Sequence, residues 1–373
     1  IKNILEPMNR LEGDALPVSN FMDEQKVRGE IPSGTAGYEK RGVAVNVPSW
    51  KVDNCIQCNQ CSLVCPHAAI RPFLLDNDEE TNKPETFRTK KATGKGLEEY
   101  TYRMQVSTLD CTGCGNCADV CPAKEKALVM ARFDEENEVQ SKNWYYAIDN
   151  IKHKETGLNK YTIKGSQFNQ PLLQFSGACA GCGETPYSKL ITQLYGDRML
   201  IANASGCSSI WGGSSPSSSF CMNHEGKGPA WASSLFEDNA EFGYGMAIAT
   251  RKMREKIQLL MEEYIELSPG TQRSKDFKQW IETIKNPEKN IATSNKIIDD
   301  FKIEESNEKL NHILKEIKKK KDYLIKKSVW ITGGDGWAYD IGYGGLDHVI
   351  ATGEDVNIMV FDTEVYSNTG GQS

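Results

Sequence analysis

Four cysteines in the run Cys55-Ile-Gln-Cys58-Asn-Gln-Cys61-Ser-Leu-Val-Cys65-Pro66 recur, with the same spacing, as Cys111-Thr-Gly-Cys114-Gly-Asn-Cys117-Ala-Asp-Val-Cys121-Pro122. This duplication constrains the chain more than any other feature. A [4Fe–4S] cube takes four thiolates, one per iron, arriving from different sides. Three cysteines two residues apart wrap one side of a cube. The fourth, three residues on and followed by proline, points away from its own run. Zinc is the alternative, but zinc sites pair two Cys-x-x-Cys knuckles and have no use for four thiols in one run.

Two intact copies therefore predict a ferredoxin-like segment with crossed ligation. Cys55, Cys58, Cys61 and Cys121 hold one cluster, and Cys111, Cys114, Cys117 and Cys65 hold the other. Pro66 and Pro122 turn the chain so that each fourth cysteine crosses. His67, beside Pro66, is expected to pack at the surface of the segment, with a role in tuning a cluster by hydrogen bonding as the other reading.

The rest of the chain sets bounds. Its 373 residues suffice for two or three domains. A formal charge of −7 argues against nucleic acid, which needs a basic face. No apolar run is long enough to span a membrane, and the start, Ile1–Arg10, is polar. Twelve cysteines at metal-ligand spacing, in a chain too large to need disulfides, predict a reducing compartment. The expected location is cytoplasmic, or an anaerobic organelle such as a hydrogenosome. The first residue is not Met and the last residues lie in a Gly-rich motif, so the expectation is a fragment of a longer polypeptide.

Residues 1–50 read as the tail of a preceding domain plus a linker, 51–135 as the two-cluster ferredoxin-like domain of α+β type, and 136–171 as a connector. The charged stretch Asp76–Gly96 reads as a surface excursion. From residue 172 to 373, aliphatic runs at Met199–Ala202, Ser328–Thr332 and Val356–Phe361 alternate with helical patterns at Tyr187–Tyr195, Ala240–Glu263 and Trp337–Ile350. That alternation predicts an α/β domain with a parallel sheet. Residues 251–327, rich in Lys and Glu, read as a solvated helical excursion on that domain. Within them, the run Lys318–Lys321 reads as a solvated helix face, with an electrostatic docking patch as the other reading.

Two further motifs carry chemistry. Gly333-Gly334-Asp335-Gly336-Trp337 follows a strand directly, and Asp362-Thr363-Glu364-Val365-Tyr366-Ser367-Asn368 follows the next one. A glycine turn lets backbone approach phosphates, Asp335 offers a hard oxygen to Mg²⁺, and the second strand end adds oxygens and amides. Strand carboxyl ends are where such sheets bind cofactors. A lone Gly-Asp-Gly is usually only a turn. The other motif is Cys179-Ala-Gly-Cys182-Gly-Glu184-Thr-Pro-Tyr, followed by Ser205-Gly206-Cys207. Three thiols are one short of a cluster, and zinc or a redox dithiol is the alternative for Cys179 and Cys182. Ser205–Ser219 reads as an ordered cofactor loop, and Cys221 as a buried structural thiol.

In this order the ferredoxin repeat, Cys-Ala-Gly-Cys-Gly-Glu-Thr-Pro-Tyr, Gly-Gly-Asp-Gly-Trp-Ala-Tyr-Asp-Ile-Gly-Tyr and Asp-Thr-Glu-Val-Tyr-Ser-Asn-Thr-Gly-Gly-Gln resemble the C-terminal part of single-polypeptide pyruvate:ferredoxin (flavodoxin) oxidoreductases. The resemblance runs over nearly the whole chain and is least informative over 251–327. It implies a thiamine diphosphate-binding domain, Mg²⁺, three [4Fe–4S] clusters and a homodimer of the full-length chain. Pyruvate and coenzyme A would be converted to acetyl-CoA and CO₂, with electrons passed to ferredoxin or flavodoxin. Cys179, Cys182 and Cys207 would ligate a third cluster, with a fourth ligand outside this chain. Glu184 and Cys207 would contact thiamine diphosphate. Gly334, Asp335, Gly336 and Trp337, with Thr363, Glu364, Val365, Tyr366, Ser367 and Asn368, would line its diphosphate. Asp335, Thr363 and the Val365 carbonyl would hold Mg²⁺. No catalytic residue is assigned within this chain, because the carboxylate that activates the cofactor would lie in an N-terminal domain. Thr363 departs from the Asn usual at this place in thiamine enzymes. The rivals are an oxidoreductase for another 2-oxo acid, a fusion passing electrons to NADP, and a pure electron-transfer module.

Overall fold

The computed structural model describes residues 1–23, 26, 29–213, 217–303 and 307–372. The chain divides into two compact units. The first comprises 1–197, 205–231 and 367–373, and the second 198–204 and 232–366.

In the first unit, each cysteine run is flanked by strands that pair across the repeat. Asn46–Trp50 runs antiparallel to Leu128–Arg132, and Ile70–Leu75 antiparallel to Thr101–Val106, which also takes Lys90–Lys91. The apolar sides of these strands close over Ile70, Leu74, Tyr102, Met104 and Leu128, with Cys117 in the same core. Helix Phe133–Asn150 brings Trp144 edge-on to Phe73 and Phe175.

Two sequence expectations need correction here. Asp76–Gly96 is not a simple surface excursion. Phe87 is fully buried, with the Arg103 guanidinium over its ring, and Ala92 is buried too. The stretch returns to the core because Ala92 joins the core cluster and Lys90–Lys91 must pair with Thr101–Val106. Nor is the region before residue 51 a free linker. Lys40 pairs with buried Asp110 at 2.6 Å, Arg41 donates to the Phe175 carbonyl, and Ala36 is buried. Its last residues form the Asn46–Trp50 strand, so a boundary at 51 falls on a strand end.

In the second unit, Met199–Asn203, Ser328–Gly334 and Asn357–Phe361 lie side by side and parallel. The expected strands are thus present, and a parallel α/β sheet follows the ferredoxin-like segment. Helix Asn239–Leu267 packs on the first two of these strands through Ala240 and Ile331. The helix expected over Trp337–Ile350 is two pieces: a π-helical turn at Gly336–Ile341 and, after Gly342, an α-helix at Tyr343–Thr352. Trp337 fills the core between Ala204 and Ala338.

The 251–327 region is helical as expected, but it is more than a solvated excursion. Helices Gln272–Thr283, Pro287–Asp299 and Glu308–Lys319 close with the end of Asn239–Leu267 over a core of their own, built on Trp280, Phe277, Tyr264, Leu314 and Ile317. The charge sits on the outer faces, where Lys319 and Lys320 pair with Glu316. Trp280 is fully buried, and its indole N–H donates to Ser294 Oγ and the Leu324 carbonyl. Trp280→Ala is therefore expected to destabilise this bundle by about 3–5 kcal/mol. Urea unfolding followed by far-UV circular dichroism checks it.

Candidate functional site

The two cysteine loops share one geometry reached by different residues. In the first copy Gln57 and Asn59 adopt left-handed backbone, with φ of 59° and 62°. At the matching places of the second copy stand Gly113 and Gly115, with φ of 73° and 83°. Glycine tolerates this region freely; Gln and Asn must be held there. Gln57 is buried and bonded to the Lys91 carbonyl and to the Thr93 amide, and Asn59 accepts from the Tyr102 hydroxyl. The turn aims an amide at sulfur in each copy: Gln57 N–H to Cys55 Sγ and Gly113 N–H to Cys111 Sγ, both at 3.4 Å. Ala69 N–H does the same for Cys65, and Ala127 N–H for Cys121. Such N–H···S bonds stabilise anionic thiolate and so suit cluster ligands.

The eight thiols fall into two groups. A cavity is walled by Cys55, Cys58, Cys61 and Cys121 together, with Tyr102 and Met104 behind them. Burial pushes the Cys61 thiol well up, helped by the nearby Cys55, Cys58 and Cys121. Burial also raises Cys111 to about 12 and Cys117 further; both have Cys65 and Cys114 as neighbours. Each fourth cysteine thus lies with the other run. Among the described residues, no three His, Cys, Asp or Glu side chains close around one ion. Thiolates that each take a separate iron of a cube are spaced more widely than ligands of one ion.

His67 is buried, not at the surface as expected. Its Nε2 lies 2.9 Å from the Ala178 carbonyl and its Nδ1 3.4 Å from Thr112 Oγ1. It therefore bridges the Cys65 turn, the Cys111 loop and the residue before Cys179. The approach is close on the other side too, since a Cβ on Gly181 would meet the Cys114 Cβ at 3.7 Å.

Cys179 and Cys182 sit on one tight turn, with Cys182 N–H bonded to the Cys179 carbonyl. Cys207 begins the short helix Cys207–Gly212, its Sγ 3.3 Å from Ser367 Oγ. Burial raises the Cys207 thiol, Ser367 lowers it, and Glu184, Cys182 and Cys179 add to the rise. The three cysteines and Glu184 therefore share a neighbourhood. Glu184 is held by Trp211 Nε1 at 2.8 Å, a residue that sequence reasoning did not single out. Part of the expected loop, 214–216, lies outside the described residues. Cys221 is buried elsewhere, its Sγ directed at the Pro171 carbonyl and its pKa raised by burial to about 11. Cys221→Ala is expected to leave iron content unchanged, whereas Cys182→Ala should lower it; ferrozine analysis of the two variants decides.

In the second unit, Asp335 closes the Ser328–Gly334 strand and Thr363 follows the Asn357–Phe361 strand. Thr363 Oγ1 lies 2.9 Å from Asp335 Oδ2 and 3.1 Å from the Val365 carbonyl oxygen. Neighbouring corners of an octahedron with arms of about 2.1 Å lie about 3.0 Å apart. Thr363 Oγ1 stands at that spacing from each of the other two oxygens, and all three are hard-oxygen donors of the kind Mg²⁺ takes. The Asp335 carboxylate also accepts from the Thr363 and Val365 amides, which fixes it. A Cβ on Gly336 would fall 2.4 Å from the Phe236 and Tyr366 rings, so the turn requires glycine. Glu364 supplies the turn with φ of 60°. Trp337 is a correction: its side chain is fully buried in the core, so only its backbone is left to line a ligand. Gly334 lies at the strand end, and Tyr366 donates to Asp340. Ser367 and Asn368 form a 3₁₀ turn in the first unit.

Among the described residues no helix is long and apolar enough to cross a membrane. Residues 54–125 match the family described as a 4Fe-4S dicluster domain, and residues 1–44 match one described as a domain of unknown function. The chain is 54% identical over 375 residues to the pyruvate:ferredoxin oxidoreductase of Moorella thermoacetica, with all of this chain and 32% of the relative aligned. It is 53% identical over 378 residues to the pyruvate-flavodoxin oxidoreductase of Enterobacter agglomerans, again with 32% of the relative aligned. It is 46% identical over 406 residues to the pyruvate dehydrogenase [NADP(+)] of Cryptosporidium parvum, with 21% of it aligned. Over its whole length, then, this chain is a homologue of the pyruvate:ferredoxin and pyruvate-flavodoxin oxidoreductases, spanning about a third of the length of each.

Proposed function

We propose that this chain is the electron-transfer and thiamine-diphosphate part of a pyruvate:ferredoxin or pyruvate:flavodoxin oxidoreductase. The reaction would convert pyruvate and coenzyme A to acetyl-CoA and CO₂. The observation that carries the reading is the pairing of two chemistries in one chain: four-cysteine sets in the first unit and, in the second, Asp335 and the Val365 carbonyl both within about 3 Å of Thr363 Oγ1.

When bound, thiamine diphosphate supplies the electron sink for decarboxylation, and the clusters supply one-electron carriers. The chain's own residues bind and orient these groups. Asp335, Thr363 and the Val365 carbonyl offer the metal its oxygens. Cys179, Cys182 and Cys207 offer three thiolates to a third cluster, a set one short of the four a cube takes, so a fourth ligand would come from elsewhere in the full-length protein. Glu184, fixed by Trp211, presents a carboxylate beside those thiols. The eight remaining cysteines, each fourth one crossed, would hold the other two clusters within the one ferredoxin-like segment.

The test is ferredoxin or flavodoxin reduction by the full-length protein with pyruvate and coenzyme A, each omitted in turn. Reduction that depends on pyruvate and coenzyme A supports the reading. A protein that carries iron but binds no thiamine diphosphate would instead be an electron-transfer module. Because two relatives bear the name pyruvate dehydrogenase [NADP(+)], NADP reduction belongs in the same assay. Replacing pyruvate with other 2-oxo acids decides the substrate.

A further inference from the structure

Helix Thr185–Tyr195 carries one lysine, Lys189, and buries it almost completely, at 1% exposure. A buried ammonium is costly unless its three N–H groups are bonded and its charge is met. The bonds are complete: Nζ donates to the carbonyls of Ser62, of Leu63 at 3.0 Å and of Cys65 at 3.0 Å. These carbonyls belong to the stretch that ends helix Gln60–Leu63 and leads into Cys65. The charge is not met by protein. Among the described residues no carboxylate bonds or pairs with Lys189. Burial lowers the ammonium's pKa to about 8; the nearby groups that can carry negative charge are the sulfurs of Cys65 and Cys61, anionic when they ligate a metal, and the other charge is the cation Arg71. Cys61 belongs to one four-cysteine set and Cys65 to the other.

We propose that Lys189 is the buried counter-cation shared by the two ferredoxin-type clusters: its charge raises their reduction potentials while its hydrogen bonds fix the turn that sends Cys65 across. A cube with four thiolates is a net anion that becomes more negative on reduction, so a fixed positive charge in a dry setting favours the reduced form. Lys189 is a positioning residue. It acts through the clusters and touches no substrate. Arg71 stands beside the Cys65 set as a second cation, but its guanidinium lies against the Trp144 and Phe175 rings and bonds the Ala68 carbonyl and Gln174, not the Ser62, Leu63 and Cys65 carbonyls.

The inference rests on the crossed two-cluster reading, so the first measurement is the wild-type count of clusters by iron analysis and electron paramagnetic resonance. Absence of the two clusters there overturns that reading and, with it, the role given to Lys189; altered potentials or their absence in the variants below bear on Lys189 alone. With the clusters present, the full-length protein and its Lys189→Gln, Lys189→Met and Lys189→Arg variants are titrated potentiometrically, with the resonance signals as readout. Exposed Lys142→Gln serves as control. The expected result is lower midpoint potentials in the Gln and Met variants, with Arg and the control near wild type. Wild-type potentials in the Gln and Met variants would overturn the proposal. If the neutral variants fail to assemble clusters, normal iron in Lys189→Arg supports a requirement for charge. Loss in Lys189→Arg together with full iron in Lys189→Gln overturns it.

Discussion

Replacing Cys121 with alanine is expected to remove the cluster held by Cys55, Cys58 and Cys61, and to spare the one nearer in sequence to residue 121. Cys65→Ala should do the reverse. About four irons should be lost in each case, since each cube holds four. The geometry behind this is the cavity in which Cys121 completes the walls made by the first run, and the closeness of Cys65 to Cys111 and Cys117. Iron analysis gives the count. The two cubes are distinguished by which resonance signal disappears and by reconstitution of the double variant. Should Cys121→Ala instead destroy the cluster of Cys111, Cys114 and Cys117, the ligation is not crossed.

Asp335→Asn is expected to weaken Mg²⁺-dependent binding of thiamine diphosphate by at least about tenfold. Loss of groups that only support metal ligands already costs that much, and here a charged ligand goes. The carboxylate also holds the Thr363 and Val365 amides, so its loss loosens both other oxygens of the triplet. Thr363→Val should cost less, because the Asp335 carboxylate and the Val365 carbonyl remain. Calorimetric titration of the full-length protein with the cofactor, at fixed Mg²⁺, separates the two variants. Unchanged affinity in Asp335→Asn would mean that the oxygen triplet holds only the turn.

Much of this was legible in the sequence, because the information is local. Cysteine spacing and the following prolines carry the grouping of the eight thiols, since a short run can wrap only one side of a cube. Alternation of aliphatic runs with helical patterns carries the parallel strands at 199–203, 328–334 and 357–361. The pairing of Asp335 with Thr363 follows from both lying just past neighbouring strand ends.

What the sequence could not tell depends on contacts between distant residues. Lys189 and Lys142 are both lysines on helices. Only the fold buries one against the Ser62, Leu63 and Cys65 carbonyls and leaves the other in solvent. His67 reads as a surface residue until Ala178 and Thr112 are brought to its two nitrogens. Trp337 stands in the Gly-Asp-Gly motif that suggests a phosphate-lining residue, yet its side chain is core. The charged 251–327 stretch hides a core of its own, because Trp280 and Tyr264 meet only when four helices close. The sequence by itself determined which chemistries this chain can host, since ligand type and spacing are local properties. The tertiary structure alone decided which charges are buried beside them, because burial and its electrostatic consequence are set by residues far apart in the chain.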